Sequence, residues 1–261
     1  SYGQGTNWQD EVFNNNAPMM NHQVSVSGAS EKVNYLFSLG FYTQDGIVGG
    51  NFDRSNYERL TLRSNTQYTL FDESKERNWL NSLKVTSNLS YARIKSTSFD
   101  DNSTWGTPLG SALALSPILN VYDETEEAIK AQFDKYGTTA EYTPVYDPRN
   151  GKLFSIPGEF GEMSNPIAKL SLPGDKHWSH KFVANFSAEL QLWDNLKFKT
   201  SYGADLSFWG YDGYRPLYYL RSGESSTQSS AYSRKEDGTV GQLENVLMYG
   251  KSIDKHSFSV L

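Results

Sequence analysis

Aromatic side chains stand beside polar ones in three stretches of the chain that also carry glycine or proline. These stretches are 105–110 (WGTPLG), 208–214 (FWGYDGY) and 216–220 (PLYYL). Flat aromatic faces stack on the apolar faces of sugar rings, and nearby carboxylates, amides and guanidinium groups bind hydroxyls. Peptides can be held in the same way. The pattern predicts four substrate-binding residues, which are Trp105, Tyr211, Tyr214 and Tyr218.

The same aromatic residues have a second interpretation, in which they form an interfacial girdle at a membrane surface or pack within their own loops. Trp209 and Tyr211 fall near the end of a predicted strand, and this position favours the girdle for both.

The residue types and their spacing do not indicate a catalytic site or a metal site. The chain has no cysteine, and its four histidines show no metal-binding spacing. Asp100, Asp101 and Asn102 offer oxygen ligands for a divalent cation, but a polar loop is the favoured interpretation of these residues. Gly49 and Gly50 are turn glycines, because no helix opens there after a strand. We expect no enzyme, no catalytic residue, no metal and no cofactor.

Composition restricts the class of protein further. The apolar fraction is 37% and the mean hydropathy is -0.61, so a dense soluble core is not indicated. Aromatic residues nevertheless make up 14%, which suits aromatic girdles at two membrane interfaces. No apolar run approaches the roughly 18 residues of a membrane-spanning helix. The net charge of -6 comes without a basic stripe, and we expect no nucleic-acid partner.

Strict alternation of apolar and polar residues predicts about eight two-faced β-strands. They are placed at 23–28, 33–44, 57–71, 80–95, 180–193, 196–210, 243–251 and from about 255 onward. The apolar faces are expected to meet lipid and the polar faces a wet lumen. The residues predicted to face lipid are Phe37, Leu39, Phe182, Phe186, Leu190, Phe198 and Tyr202. Those predicted to face the lumen are Asn65, Gln67, Asn88, Asn185, Glu189, Lys199 and Asp205.

The connections between these strands alternate between short and long. Short polar turns occupy 29–32, 72–78, 194–195 and 252–254, whereas 46–55, roughly 80 residues between 96 and 179, and roughly 30 between 211 and 242 are long. Outer-membrane barrels have short periplasmic turns and longer extracellular loops. The pattern predicts an all-β fold: an antiparallel transmembrane β-barrel segment of about eight strands with long extracellular loops. The chain is then expected to begin in an extracellular loop.

One helix is predicted, over 123–136, inside the longest loop. Its first turn is acidic, and Ala128, Ile129, Phe133 and Tyr136 recur at helical spacing. It is expected either to pack on its own loop or to touch a partner protein. The segment 7–13 is predicted to be irregular.

An ordered series of segments resembles the SusC/RagA-type TonB-linked outer-membrane transporters of Bacteroidetes. The series covers nearly the whole chain and consists of 7–13 (NWQDEVF), 21–28 (NHQVSVSG), 35–42 (YLFSLGFY), 44–48 (QDGIV), 57–65 (YERLTLRSN), 165–168 (NPIA), 196–203 (LKFKTSYG), 244–249 (ENVLMY) and 256–261 (HSFSVL). Each segment alone is a weak signal, whereas their order is specific.

This resemblance implies a large barrel of the plugged 22-stranded kind, located in the outer membrane. Residues 1–261 would be part of one such barrel domain, with the plug and the later strands absent. The resemblance also implies a SusD-like surface lipoprotein as a lid, TonB as a partner through the absent N-terminal part, contact with outer-membrane lipid, and import of oligosaccharides or peptides. The alternative is a soluble or surface-attached β-rich glycan-binding module.

Overall fold

The chain forms one large antiparallel sheet that carries folded loops at one end. A computed structural model describes residues 5–72, 79–97, 99, 106–158 and 163–261. The strands are β1 Met19–Ala29, β2 Val33–Asp45, β3 Asn56–Phe71, β4 Ser82–Thr97, β5 Tyr122–Asp123, β6 Leu153–Phe154, β7 Lys176–Trp193, β8 Leu196–Arg215, β9 Tyr218–Arg221, β10 Glu224–Ser226, β11 Ser230–Ile253 and β12 His256–Val260. The helices are α1 Trp8–Val12, α2 Pro108–Ala114, α3 Glu126–Tyr136 and α4 Pro166–Ser171.

Eight strands build the large sheet in the order β1-β2-β3-β4-β7-β8-β11-β12, and each pairs antiparallel with its neighbours. At one end, which we call the turn end, the connections 30–32, 194–195 and 254–255 are short. At the other, the loop end, the connections 46–55, 98–175 and 216–229 are long. The predicted alternation is confirmed at these six connections. The remaining predicted turn, 72–78, lies mostly outside the described residues, and the β3–β4 connection that contains it, 72–81, is as long as 46–55.

Cross-strand register shows that all seven residues predicted to face lipid share one face of the sheet. Residues directly opposite each other on neighbouring strands point to the same side. One row across seven strands is Val26, Phe37, Ser64, Leu89, Ala184, Ala204 and Gly241. The side chains of Phe37 and Phe186 are 50% and 46% exposed. We call this side the apolar face.

The opposite, polar face carries the seven residues predicted to face the lumen. Asn65, Asn88 and Asn185 stand side by side on three adjacent strands. Ion pairs add to its polarity, with Lys181 Nζ 2.9 Å from Asp205 Oδ2. This clean separation of polarity, in a sheet one layer thick, suits a wall between lipid and water.

A stacked sandwich, the arrangement of many soluble β proteins, is not what the described residues form. Such a fold would enclose Phe37 and Phe186 between two sheets, yet both are exposed. The two further sheets, β5–β6 and β9–β10, are short pairs within the connections. Among the described helices, none is long and apolar enough to cross a membrane.

The connection predicted between 211 and 242 is much shorter than expected. β8 continues to Arg215 and β11 begins at Ser230, so only 216–229 connects them, and this part contains the β9–β10 hairpin. The segment 230–242 (SAYSRKEDGTVGQ) is mostly polar on both faces and gives no alternating signal. Its strand structure comes from backbone pairing with β8, which runs without a break from Arg215 to Leu196.

The expectation of a single helix was wrong, because the structure contains α1, α2 and α4 besides α3. These three have 5, 7 and 6 residues, too short to show a helical period in the sequence. The segment 7–13, predicted to be irregular, contains α1, which is capped by Asn7. α3 falls within the predicted 123–136, but its buried residue is Gln132, whereas Phe133 is 39% exposed.

Candidate functional site

Four segments at the loop end pack into one unit, which we call the loop assembly. It comprises residues 5–18, 46–55, 216–229 and the described part of 98–175. Its buried apolar side chains are Trp8, Val12, Val48, Ala112, Leu115, Val121, Phe154, Met163, Ile167, Ala168, Leu170 and Leu220. The apolar core thus lies in the connections and gives them a defined shape.

Trp8 fastens the segment before β1 to the longest connection. Its side chain is 2% exposed, and the indole Nε1 donates a hydrogen bond to the carbonyl of Ser116 at 3.1 Å. Thr6 adds a hydrogen bond from its hydroxyl to the carbonyl of Leu119 at 2.6 Å. Because these contacts join residues more than 100 positions apart, they hold two chain segments in a fixed relation.

Asn165 organises the centre of the loop assembly from a fully buried position. Its Oδ1 accepts hydrogen bonds from the backbone N–H groups of Ile167 and Ala168, which caps α4. Its Nδ2 donates to the carbonyls of Val121 at 2.8 Å and Ser155 at 3.1 Å. One side chain therefore satisfies four backbone groups. This is the physical role of the NPIA segment that carries part of the family resemblance.

Gly50 allows the β2–β3 connection to lie close against α4. Its φ is +59°, and a Cβ at this position would lie 3.3 Å from the Cδ1 atoms of both Ile167 and Leu170. Glycine adopts this left-handed conformation without steric cost. Asn51, with φ of 59°, donates its backbone N–H to Asn14 Oδ1 at 2.7 Å.

A buried carboxylate, Asp147, is the strongest electrostatic feature of the loop assembly. It accepts hydrogen bonds from Arg149 Nη2 at 2.7 Å and from the hydroxyl of Tyr122 at 2.6 Å. Burial raises the pKa of Asp147, but the hydrogen bonds from Arg149 and Tyr122 outweigh it and lower the pKa to about 2. Arg149 also donates to the carbonyl of Gly50 at 2.8 Å and lies 3.8 Å over the Phe52 ring.

The β9–β10 hairpin is joined to the rest of the loop assembly by ions and aromatic rings. Glu224 binds Lys169 Nζ at 2.6 Å and Arg221 Nε at 3.1 Å. The ring of Tyr219 lies 5.7 Å from that of Tyr142, and burial is the main cause that raises the pKa of Tyr142 to about 12. These contacts hold the hairpin against the rest of the loop assembly.

The structure does not bring the predicted substrate-binding residues together. Tyr211 and Tyr214 lie three positions apart on β8 and so point to opposite faces, with Tyr211 on the polar face beside His177, 5.5 Å between ring centroids. Tyr218 lies in β9 and packs against the core of the loop assembly. Trp105, like Asp100, Asp101 and Asn102, lies outside the described residues.

A group on the polar face just below the loop end was missed from the sequence. Arg59 and Arg63 line a small cavity of about 120 Å³ together with Asn21, Gln23 and Tyr42. Arg59 lies 5.6 Å from the Tyr42 ring centroid. The sequence could have predicted this group, because side chains alternate between the two faces along β3. Arg59 and Arg63 therefore lie on the face opposite to Leu60 and Leu62. No group of three histidine or acidic residues is placed to hold a metal in the described part of the chain.

Comparison with known proteins finds relatives among the TonB-dependent receptors. No family model matches the chain. TonB-dependent receptor P3 of Formosa agariphila is 26% identical over 265 residues, which cover 100% of this chain and 23% of the relative. TonB-dependent receptor SusC of Bacteroides thetaiotaomicron is 28% identical over 193 residues, or 72% of this chain and 16% of the relative. The predicted resemblance to the SusC/RagA type of TonB-dependent transporter is thereby confirmed.

A solved structure agrees with this assignment at the level of the fold. A structure of the RagAB peptide transporter superposes with a TM-score of 0.67 at 20% identity, covering 97% of this chain and 24% of that one. The antiparallel barrel-wall fold is therefore confirmed, and the relatives agree with the predicted location in the bacterial outer membrane. The chain spans about a quarter or less of the length of the relatives it matches.

Proposed function

We propose that this chain forms part of the wall and the external rim of a SusC-like importer in the outer membrane, energised through TonB. One observation carries the proposal: the apolar core lies in the loop assembly, while the sheet has one apolar and one polar face. A wall that separates lipid from a wet lumen requires such a sheet. A rigid rim requires loops with a core of their own. Residues 1–261 would then be part of one barrel domain.

An apolar groove on the loop assembly suits a protein partner, which we take to be a SusD-like surface lipoprotein acting as a lid. The groove holds about 260 Å³ between α1 and α2 and is lined in part by Phe13, Leu109 and Leu113. Leu113 is 72% exposed, and nearby Ile118 is 62% exposed. Contiguous exposed apolar surface on an otherwise ordered unit commonly marks a protein interface.

The proposed substrate is an oligosaccharide or a peptide that passes along the polar face. Arg59, Arg63 and Tyr42 on that face offer guanidinium donors and a flat ring, which suit either class. Tyr211 also lies on this face and stays a predicted substrate contact. The role proposed for these residues is binding without catalysis.

Site-specific photocrosslinking in cells tests the position of the rim. A photoreactive residue replaces Leu113 or Ile118 in the full-length transporter, and Glu31 in the β1–β2 turn serves as the control. We expect crosslinks to the lipoprotein from the first two positions and none from position 31. Crosslinks to the lipoprotein from position 31 alone, or from none of the three, would contradict the proposed rim.

Uptake tests the transport role directly. Replacing α3 with a short Gly/Ser linker in the full-length transporter should keep the barrel folded, because Gln132 and Tyr136 of α3 contact Phe154 and Tyr219 within the loop assembly. Association with the lipoprotein or growth on the transported substrate should fall. Unchanged association and unchanged growth would show that this part of the loop assembly is surface without a role in import.

A further inference from the structure

The apolar face changes its chemistry toward the loop end. In β4 its residues run from Leu89 through Tyr91 to Arg93 and Lys95. In β7 they run from Phe182 through His180 to Trp178 and Lys176, with Phe182 opposite Tyr91, His180 opposite Arg93 and Trp178 opposite Lys95. Aromatic residues with one polar atom mark the boundary between hydrocarbon and headgroups. The hydrocarbon boundary of this wall therefore lies near Tyr91 and His180.

Aromatic contacts make this boundary a fixed platform. The rings of Tyr91 and Phe182 are 4.6 Å apart, and those of Trp178 and His180 are 5.8 Å apart. The hydroxyl of Tyr91 and Nδ1 of His180 are hydrogen-bonded at 2.8 Å. These side chains are therefore held in place.

Two cavities meet at this platform from opposite sides. Toward the loop end, a cavity of about 630 Å³ is lined by charged and polar residues, including Arg93, Lys95 and Lys176. Toward the turn end, a groove of about 490 Å³ is lined mainly by apolar side chains, and Tyr91 and Phe182 form its upper rim. Small Ser64, in the row of Phe37 and Leu89, opens this groove. A polar cavity directly above an apolar groove has the shape of a site for an amphiphile.

Charge within the upper cavity is arranged in a central basic column with acidic flanks. Arg93, Lys95 and Lys176 come from the adjacent strands β4 and β7, and none of them forms an ion pair within the described part of the chain. Four carboxylates line the same cavity: Asp45, Asp53 and Glu58 on the β2–β3 side and Asp212 on β8. Glu58 stands opposite Lys95 and Asp212 opposite Lys176 in the cross-strand register. Because these three cations form no ion pair within the described part of the chain, their N–H groups are available to donate charge-assisted hydrogen bonds to a bound anion.

We propose that this outer wall binds a phosphorylated glycolipid of the outer leaflet. The phosphate contacts Arg93, Lys95 and Lys176, while the acidic side chains Glu58 and Asp212 accept hydrogen bonds from sugar hydroxyls. The acyl chains lie in the apolar groove below. The site faces away from the lumen, so it is independent of the proposed transport function.

Lipid retention by the purified full-length transporter tests the site. The variant carries Arg93→Gln, Lys95→Gln and Lys176→Gln. The matched control carries Lys84→Gln, Lys197→Gln and Lys199→Gln, which remove the same charge from the polar face near the turn end. Native mass spectrometry measures binding of a bis-phosphorylated glycolipid, and of the same lipid after removal of its phosphates, in detergent.

Wild type and the control should bind the phosphorylated lipid alike. The site variant should bind it at least about tenfold more weakly, since each contact between a charged group and phosphate contributes about a factor of ten. The dephosphorylated lipid should bind the site variant and the wild type equally weakly.

Equal binding of the phosphorylated lipid by the site variant and the control would overturn the proposal. Tight binding of the dephosphorylated lipid to wild type would also overturn it. A third contradicting result would be complete displacement of the phosphorylated lipid by millimolar inorganic phosphate, because the acyl chains would then contribute nothing to binding. Heat-dependent gel mobility confirms that both variants form barrels.

Discussion

Asp147 and Arg149 form an ion pair in which the carboxylate is completely buried and the guanidinium reaches across to another connection. Arg149 Nη2 lies 2.7 Å from Asp147 Oδ2, and the side chain of Asp147 is 0% exposed. The same guanidinium donates to the carbonyl of Gly50 in the β2–β3 connection. This pair therefore links two segments of the loop assembly about 100 residues apart in the chain.

Arg149→Met should loosen the loop assembly, because Asp147 would keep a buried charge without its main partner. We expect a loss of about 1–3 kcal/mol in the free energy of local opening. Hydrogen exchange of the peptides that contain Gly50 and Asp147 measures it. Lys130→Met, which removes the exposed pair of Lys130 with Asp134, is the control and should change little. Equal protection in wild type and Arg149→Met would contradict the assigned role.

The stability of the loop assembly should fall in acid. The pKa of Asp147 is lowered from 3.8 to about 2 in the folded state. Its stabilising contribution is therefore complete above about pH 4 and is lost as the pH falls through about 2, with a total of about 2 kcal/mol. Protease protection of the loops between pH 5 and pH 2 measures this change. Asp147→Asn should show a flatter profile, and an identical profile would refute the explanation.

Asn165 should be more important than an ordinary helix cap. Asn165→Ser keeps an acceptor for the N–H groups of α4 but loses the donors to Val121 and Ser155, whereas Asn165→Ala loses both. Loss of the cap costs about 1 kcal/mol. The part-buried carbonyl of Ser155 left without this donor costs a further amount of about 1 kcal/mol, whereas the carbonyl of Val121 still accepts the backbone N–H of Ser155. Hydrogen exchange of α4 should rank wild type above Ser and Ser above Ala, and any other order would contradict the two separate roles.

The two faces of β7 should respond differently to a charge. Phe186→Arg near the middle of the apolar face should cost about 2–4 kcal/mol for folding into lipid vesicles. Asn185→Arg, one position away on the polar face, should cost much less. Folding yield against denaturant measures both variants, and equal costs would invalidate the assignment of the faces.

The sheet could be predicted from the sequence because the alternation of apolar and polar residues indicated both where the strands lie and which face each side chain occupies. Phe37, Phe186 and Asn185 were placed on the correct faces. A strand with lipid on one side and water on the other must alternate apolar and polar residues, and this alternation is visible in the sequence. The strand segment 230–242 was missed, because residues beyond the hydrocarbon meet water on both sides and carry no such pattern.

The loop assembly could not be predicted in the same way. Its core joins Trp8, Val48, Phe154 and Leu220, which are far apart in the chain and are not periodic. Asn165 and Asp147 also gave no signal of their roles, because their partners are backbone groups or distant side chains. The predicted contacts Tyr211, Tyr214 and Tyr218 were chosen by residue type alone, and the structure separates them.

Cysteine accessibility in whole cells tests the central claim that this chain is an outer-membrane wall with an external rim. The chain itself has no cysteine, so single cysteines introduced into it can be labelled individually. In cells that produce the full-length transporter without the lipoprotein, Lys130→Cys on α3 should react with a membrane-impermeant maleimide. Glu31→Cys in the β1–β2 turn should react only after the outer membrane is permeabilised. Labelling of position 31 in intact cells, with position 130 protected, would contradict the account.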